Sequence, residues 1–192
     1  MKNPAFRITG IVLISLIIGI CSAWWTLTGL IDAMTVKNGP WRVNLSIGTA
    51  QTNRYLRAGV ARIGLFALKN TEAVYFIALN DSEGEPLTSR CDYRIVGGDL
   101  DARWWSITVY GSDFHLIPNE QNRYSFFGGT LPRDERNQWT VFLSTKPQEG
   151  NWLPAGDDEQ LYLNLRLYRP GKSVYEDPDT IPLPEIVREV CR

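Results

Sequence analysis

QLYLNLRLY (residues 160–168) is the clearest secondary-structure signal in the chain. Its leucines alternate strictly with polar and aromatic residues, so an extended strand would place every leucine on one face. The opposite face would carry Tyr162, Asn164, Arg166 and Tyr168. Alternation over this length is typical of an antiparallel strand with one buried face. The stretch therefore predicts a sheet that covers a core on one side.

Other segments extend this prediction along the chain. A period of two predicts strands over residues 73–79, 91–95, 103–110, 124–127 and 139–144, with turn residues between them. A period of three to four predicts a helix over residues 52–66, with Thr52 or Asn53 as its N-cap. The last residues, PEIVREVCR, favour one or two helical turns. Many short strands with Gly and Pro between them predict a mainly β protein with an antiparallel β-sandwich.

The N-terminal part of the chain contains an uncharged apolar run over residues 8–31. A transmembrane helix needs about 20 apolar residues, so this run predicts a single-pass signal-anchor. Lys2 and Arg7 precede it, which predicts a cytoplasmic tail over residues 1–7 and an exported C-terminal domain on the periplasmic side of an inner membrane. A cleaved signal peptide with its cleavage site at residues 21–23 is the alternative.

The remaining residues divide into a linker and one domain. Residues 32–50 include Asn38-Gly39-Pro40, which breaks a helix, and they are interpreted as a linker. Residues 51–192 are enough for one domain with its own core.

Composition restricts the classes of partner and cofactor. The chain has 20 basic and 21 acidic residues with interspersed signs, which disfavours nucleic acid as a partner. One histidine and the absence of a Cys-x-x-Cys motif predict no metal site. No phosphate-binding Gly-rich motif is present, and no cofactor is expected.

Three cysteines are present, of which Cys21 lies in the apolar run. Cys91 and Cys191 are then the only pair in the exported domain, and an oxidising compartment favours a disulfide between them. Two unrelated thiols are the alternative.

The chain contains 22 Trp, Tyr and Phe residues. One interpretation is a stacking platform for a sugar or another flat ligand, with arginine and asparagine side chains beside it. The ligand-binding residues that this interpretation selects are Trp152, Tyr162, Arg166, Tyr168, Asn151 and Arg123. The alternative is that these side chains fill the core and pair across strands.

Catalytic candidates are few. His115 is the only histidine, and Ser112 and Asp113 beside it are ordinary turn residues. The acidic candidates for a glycosidase pair, namely Asp99 with Asp101 and the run Asp157-Asp158-Glu159, also lie in turn-like segments. The sequence therefore predicts no catalytic residue.

Several blocks in order resemble a known family. YLRAGVARIGLFAL, EAVYFIALNDSEGEPL, CDYRIVGGDLDARWWSITVYGSD, NRYSF, NWLPA and LYLNLRLYRP together are similar to the DUF1214 domain family, which often accompanies a DUF1254 domain. The resemblance covers about residues 51–190 and implies a jelly-roll-like β-sandwich with no established activity. This sequence leaves no room for the DUF1254 half of the long two-domain members, and the expected membrane anchor stands in its place.

These observations predict a membrane-anchored envelope protein that is a non-catalytic binding or structural module. Its expected partners are the membrane and an envelope glycan or another envelope protein. The alternative is a hydrolase acting on an envelope glycan or ester.

Overall fold

The computed structural model describes residues 4–50, 52–62, 67–157 and 159–192. Its helices are α1 (Pro4–Ala33), α2 (Arg54–Arg62) and α3 (Ser173–Glu176). Within α1, the segment Arg7–Thr26 is long and apolar enough to span a membrane, and none of it is buried against the rest of the protein. A signal sequence would meet the same criteria.

The strands form two sheets that pack face to face. The six-stranded sheet has the order β1 (Val36–Asn38), β2 (Trp41–Val43), β3 (Ala73–Ala78), β9 (Tyr162–Pro170), β5 (Ala102–Tyr110) and β6 (Ser125–Phe127). The four-stranded sheet has the order β10 (Glu185–Cys191), β4 (Cys91–Gly97), β7 (Trp139–Ser144) and β8 (Trp152–Pro154). The predicted mainly β sandwich is confirmed, but the second sheet is mixed because β8 runs parallel to β7.

The core lies between the two sheets and is built by alternation. β9 occupies a central position between β3 and β5, and its Leu163, Leu165 and Leu167 are fully buried in the core. Trp105 of β5 faces Trp139 of β7 across the sandwich, with ring centroids 4.6 Å apart. The inward-facing side chains are therefore those that the period of two predicts.

The region predicted as a linker is part of the sheet. Val36–Asn38 and Trp41–Val43 form a hairpin that pairs with β3, and Asn38-Gly39-Pro40 belongs to its turn rather than to a helix end. Trp41 is completely buried and its Nε1 donates to the carbonyl of Pro184 at 2.7 Å. The sandwich therefore begins near residue 36, not at residue 51.

The predicted helix over residues 52–66 is shorter in the described part of the chain. It is helical from Arg54 to Arg62, and residues 63–66 lie outside the described residues. Asn53 is the N-cap, because its Oδ1 accepts the backbone N–H of Leu56 at 2.8 Å.

The predicted C-terminal helical turn is wrong. Residues 185–191 form β10, which pairs antiparallel with β4. Cys91 and Cys191 are joined by a disulfide that closes a loop of 100 residues. This cross-link and the ladder hold the end of the chain against the middle of the domain.

Candidate functional site

One surface of the sandwich carries most of the polar and aromatic side chains that could bind a ligand. We call it the outer sheet face, and it consists of the side chains of the six-stranded sheet that point away from the core. Strand alternation places Tyr162, Asn164, Arg166 and Tyr168 there from β9. Three of the six predicted ligand-binding residues, Tyr162, Arg166 and Tyr168, therefore share this face.

Exposed aromatic rings lie at one end of the outer sheet face. Trp104 of β5 is directly opposite Tyr168 in register, and their ring centroids are 4.9 Å apart with the rings edge to face. Phe127 of β6 lies on the other side of Trp104, at 5.6 Å. Trp104 is 42% exposed and Phe127 is 38% exposed. These three rings, called the aromatic platform below, present apolar faces to solvent on a rigid sheet.

Arg166 lies on the same face of β9 as Tyr168, two residues before it in the chain. Its Nη1 donates to Oγ1 of Thr108 at 2.9 Å, and its Nη2 donates to the hydroxyl of Tyr110. The guanidinium also lies 5.5 Å from the centre of the Tyr110 ring. Among the described residues it has no carboxylate partner. Because a guanidinium has five N–H donors, Arg166 retains donors for an acidic or carbonyl group.

The charge of this face is one-sided. The outward positions of its six strands carry Lys37, Arg42 and Arg166 and no carboxylate. The face therefore favours a ligand with negative charge or many acceptor oxygens.

Asn164 lies beside Arg166 in the middle of the sheet. It is opposite Ile77 on β3 and Thr108 on β5, and only 1% of its surface is exposed. Its Oδ1 has no hydrogen-bond partner, which is uncommon for a buried polar atom and costs stability. Packing alone does not explain why a polar side chain with an unpaired oxygen occupies this buried position.

A second aromatic group closes the far end of the outer sheet face. The rings of Tyr110 and Tyr162 stack at 5.1 Å, and Phe114 packs on Tyr162 at 4.7 Å. Burial raises the pKa of Tyr162 well above its ordinary value, Tyr110 and Asp113 raise it further, and Arg166 opposes the shift. Tyr162 is therefore a neutral, buried support for Tyr110 and Arg166 rather than an exposed stacking ring.

The other three predicted ligand-binding residues are elsewhere. Trp152 is in β8 of the four-stranded sheet, and since Leu153 points into the core, Trp152 points to the opposite side of the molecule from Arg166. It is 7% exposed, and its Nε1 donates to the carbonyl of Ser144. The expectation of one surface that includes Trp152, Tyr162, Arg166 and Tyr168 is wrong.

Asn151 and Arg123 support the backbone near β8. Asn151 donates to the carbonyl of Thr140 at 2.8 Å, and Arg123 donates to the carbonyl of Trp152 at 3.0 Å. Local sequence could not separate the two groups of residues, because β8 has only three residues and no alternation pattern to assign its sheet.

His115 and Asp113 form a contact within one exposed turn. Nδ1 of His115 lies 3.3 Å from Oδ2 of Asp113, and the side chains are 83% and 69% exposed. The structure gives His115 no hydrogen bond to a serine among the described residues. Solvated groups of this kind lack the water-excluded environment that strengthens acid–base catalysis.

Two of the acidic candidates, Asp99 and Asp101, have structural partners. Asp99 pairs with Arg133 at 2.8 Å and accepts a hydrogen bond from Asn137, while Asp101 accepts one from Ser173. Asp158 lies outside the described residues. Within the described ranges, no group of three or more His, Cys, Asp or Glu residues has the arrangement of a metal site.

Two open grooves lie away from the platform. The larger, about 370 Å³, runs beside the disulfide and is lined by Glu85, Pro86, Thr88, Arg90, Cys91, Arg188, Cys191 and Arg192. Arg188 is already paired with the buried Asp81 and Arg192 with Asp92, so most of the positive charge of this groove is compensated. The smaller, about 310 Å³, lies between the β1–β2 hairpin and the turn at residues 80–84.

Sequence reasoning selected Tyr168 and Arg166 but not their neighbours Trp104 and Phe127. Both aromatic residues were visible as part of aromatic clusters, and Trp104 falls on the outward face of its predicted strand. Their proximity to Tyr168 depends on the strand order, which places β5 between β9 and β6. Local periodicity carries no information on that order.

Comparison with known proteins identifies a family and a fold. A family model described as "Protein of unknown function (DUF1214)" matches residues 72–172. The crystal structure of the VPA0106 protein from Vibrio parahaemolyticus is similar, with a TM-score of 0.62 and 22% identity over 97% of this chain and 46% of that chain. At this identity the likeness is one of fold.

The chain spans less than half of the length of this solved protein and of a second one. An uncharacterized protein from Burkholderia cenocepacia has a TM-score of 0.46 and 16% identity, with 100% of this chain and 44% of that chain covered. No curated protein matches the chain.

Proposed function

The chain belongs to the DUF1214 family, whose function is unknown, and we propose from its geometry that it is a non-catalytic binding module of a cell envelope, held at a membrane by α1. Its ligand site is the aromatic platform with Arg166. The observation that carries the proposal is an arginine with no carboxylate partner among the described residues, on the same face of one sheet as three ring systems, of which two are well exposed.

The anchor and its orientation have separate support. α1 contains a 20-residue apolar segment that is not covered by the domain. Lys2 and Arg7 lie at the start of the apolar run, and Lys37 and Arg42 follow its other end within about 15 residues, so the number of basic residues alone does not select an orientation. The disulfide between Cys91 and Cys191 favours the exported side, because the cytosol keeps thiols reduced.

The chemistry of the platform favours an acidic glycan. Pyranose rings expose C–H faces that pack on aromatic rings, and Trp104 and Phe127 offer such rings at a shared surface. Arg166 is held by Thr108 and Tyr110, so its remaining donors are oriented before a ligand arrives. A sugar carboxylate or sulfate would pair with them.

A binding role fits this site better than a catalytic role. General acid–base catalysis needs a titratable group within hydrogen-bond reach of the substrate. The outward side chains near the platform supply a guanidinium, hydroxyls and aromatic rings but no carboxylate, histidine or cysteine on the described strands. The site can therefore hold a ligand, and it lacks groups that would transfer protons near neutral pH.

Binding of the full-length protein, reconstituted in lipid nanodiscs, to an array of acidic and neutral oligosaccharides tests the proposal. We expect retention on acidic oligosaccharides, with Trp104→Ala and Arg166→Gln each weakening binding about tenfold, as expected for one lost stacking or charge-assisted contact. Val190→Ala, which removes an exposed apolar side chain from β10 of the other sheet, is the matched control.

Failure of the native protein to bind any oligosaccharide would remove the support for the glycan. Equal binding by the native protein and both platform variants would place the site elsewhere. Cleavage of a retained oligosaccharide would contradict the non-catalytic role.

A further inference from the structure

The positive charge of the chain is concentrated next to α1. Residues 33–71 contain Lys37, Arg42, Arg54, Arg57, Arg62 and Lys69, and no Asp or Glu. Residues 72–192 contain 12 basic and 20 acidic residues, a formal charge of −8. This segment of charge +6, called the basic segment below, therefore differs sharply in charge from the acidic remainder of the chain.

The basic segment is attached directly to the end of α1. Only Met34 and Thr35 separate Ala33 from the first residue of β1. α2 packs against α1, and Nδ2 of Asn53 contacts Sδ of Met34 at 3.7 Å. Both the hairpin and α2 therefore lie at the same end of the apolar helix.

Helix length places this end at the surface of a membrane. The candidate span ends at Thr26, and α1 continues for seven residues to Ala33, which is about 10 Å of helix. The headgroup layer on each side of a bilayer is about 5–8 Å thick. The basic segment then begins close to the outer edge of that layer.

The faces of α2 are distinct in chemistry. Leu56 is 1% exposed and Gly59 is buried, so this side of the helix packs on the protein. Arg54, Tyr55 and Arg57 are exposed, and the helix contains no acidic residue. Arginine with an interfacial aromatic residue is the composition of helices that lie on anionic membrane surfaces.

We propose that the exposed cations Lys37, Arg54 and Arg57 of the basic segment bind the phosphate groups of anionic lipids in the leaflet from which α1 emerges. The inference rests on the part of the proposed function in which α1 spans a membrane, and it is independent of the glycan. Lipid binding by α2 and Lys37 would fix the domain against the surface. The acidic remainder would be repelled from the same lipids, which gives the sandwich one preferred orientation.

Hydrogen–deuterium exchange of the full-length protein in two kinds of nanodisc tests this inference. One kind contains phosphatidylcholine alone, and the other contains phosphatidylcholine with about one quarter phosphatidylglycerol. We expect the amides of α2 to exchange about fivefold more slowly in the anionic discs, and the difference to shrink at high salt.

Matched variants separate a specific surface from general charge. Lys37→Gln/Arg54→Gln/Arg57→Gln removes three exposed cations of the basic segment and should abolish the difference between discs. Arg90→Gln/Arg103→Gln/Arg136→Gln removes three exposed cations of the acidic remainder and should leave the difference intact.

The exchange of α1 distinguishes the possible failures. Protection of α1 in both discs with equal exchange of α2 would overturn lipid binding and leave the anchor standing. Free exchange along α1 in both discs would overturn the anchor and lipid binding together. An equal loss of the difference in both triple variants would also overturn the assignment to the basic segment.

Discussion

Tyr162 shows how one side chain on the outer sheet face supports another. Its ring stacks on Tyr110, whose hydroxyl accepts a hydrogen bond from Arg166. Because Tyr162 is buried and neutral, it contributes packing without a charge that would compete for the guanidinium. The position of Arg166 therefore depends on two aromatic residues from adjacent strands.

The raised pKa of Tyr162 predicts a loss of stability in alkali. The unfolded pKa of tyrosine is near 10 and the folded pKa is higher, so the contribution of this group is fully present below about pH 10 and is lost as the pH rises toward the folded pKa. At about pH 10.5 this loss should be about 1 kcal/mol in the native protein, and Tyr162→Phe should not show it. Urea unfolding at several pH values measures this loss of stability, and Tyr55→Phe, at an exposed tyrosine, is the control. Parallel pH profiles of the free energy of unfolding for the native protein and Tyr162→Phe would refute the prediction.

A buried carboxylate, paired with a partly exposed arginine, stabilises the turn after β3. The side chain of Asp81 is fully buried, accepts the backbone N–H groups of Glu83 and Glu85, and pairs with Arg188 of β10 at 2.8 Å. Removing one partner of a buried pair leaves an uncompensated charge and unsatisfied donors.

Asp81→Ala should therefore lower the free energy of unfolding by roughly 3–5 kcal/mol. Glu189→Ala breaks the exposed pair with Arg94 and should cost less than about 1 kcal/mol. Equal losses in chemical denaturation of the two variants would show that burial is not the cause.

At the scale of elements, alternation predicted the long strands, and it missed the β1–β2 hairpin, β8 and β10. The leucines of β9 and the inward residues of β5 follow the period of two because each strand is long enough to show it. β8 and the β1–β2 hairpin have three residues per strand, too few to define a period. β10 forms a strand because it pairs with β4. Local sequence does not encode this contact, so the strand was missed and helical turns were predicted instead.

The approach of β4 to β7 depends on Gly97. A Cβ atom added there would lie 2.3 Å from Cζ2 of Trp139, whereas one added at Gly98 meets nothing within 4 Å. Gly97→Ala should destabilise the protein by about 1–3 kcal/mol through overpacking, and Gly98→Ala by less than about 0.5 kcal/mol. Thermal unfolding of both variants measures the difference, and a Gly97→Ala protein as stable as the native one would contradict this packing.

At the scale of the whole molecule, the disulfide joins the C-terminal strand to the middle of the domain. Its loop of 100 residues restricts the unfolded chain, which in the chain-entropy model is worth about 4–5 kcal/mol. Cys91→Ser/Cys191→Ser should lose a large part of this stability in urea unfolding.

Cys21→Ser, which changes the free cysteine of α1, is the control for the disulfide. It should unfold like the native protein. A double variant with native stability would mean that the ladder between β4 and β10 is sufficient without the covalent bond.

The candidate site was predictable only in part, because local sequence does not encode the order of the strands. Tyr162, Arg166 and Tyr168 share a face because they alternate on one strand, and that is visible in the sequence. Trp104 and Phe127 join them through strand order, which also puts Trp152 in the other sheet, while Asn151 and Arg123 bond to the carbonyls of Thr140 and Trp152. Residue chemistry can be read along the chain, but membership of a surface is set by the arrangement of both sheets.

The most direct test of the central claim is the indole N–H spectrum of the full-length protein in nanodiscs, labelled with ¹⁵N-tryptophan. Trp104 is assigned from the signal missing in Trp104→Phe, and the tightest-binding acidic oligosaccharide from the array is then titrated. We predict that the Trp104 signal shifts while those of Trp41 and Trp139, both buried in the core, stay in place. Binding that leaves the Trp104 signal unmoved would contradict the assignment of the platform as the ligand site.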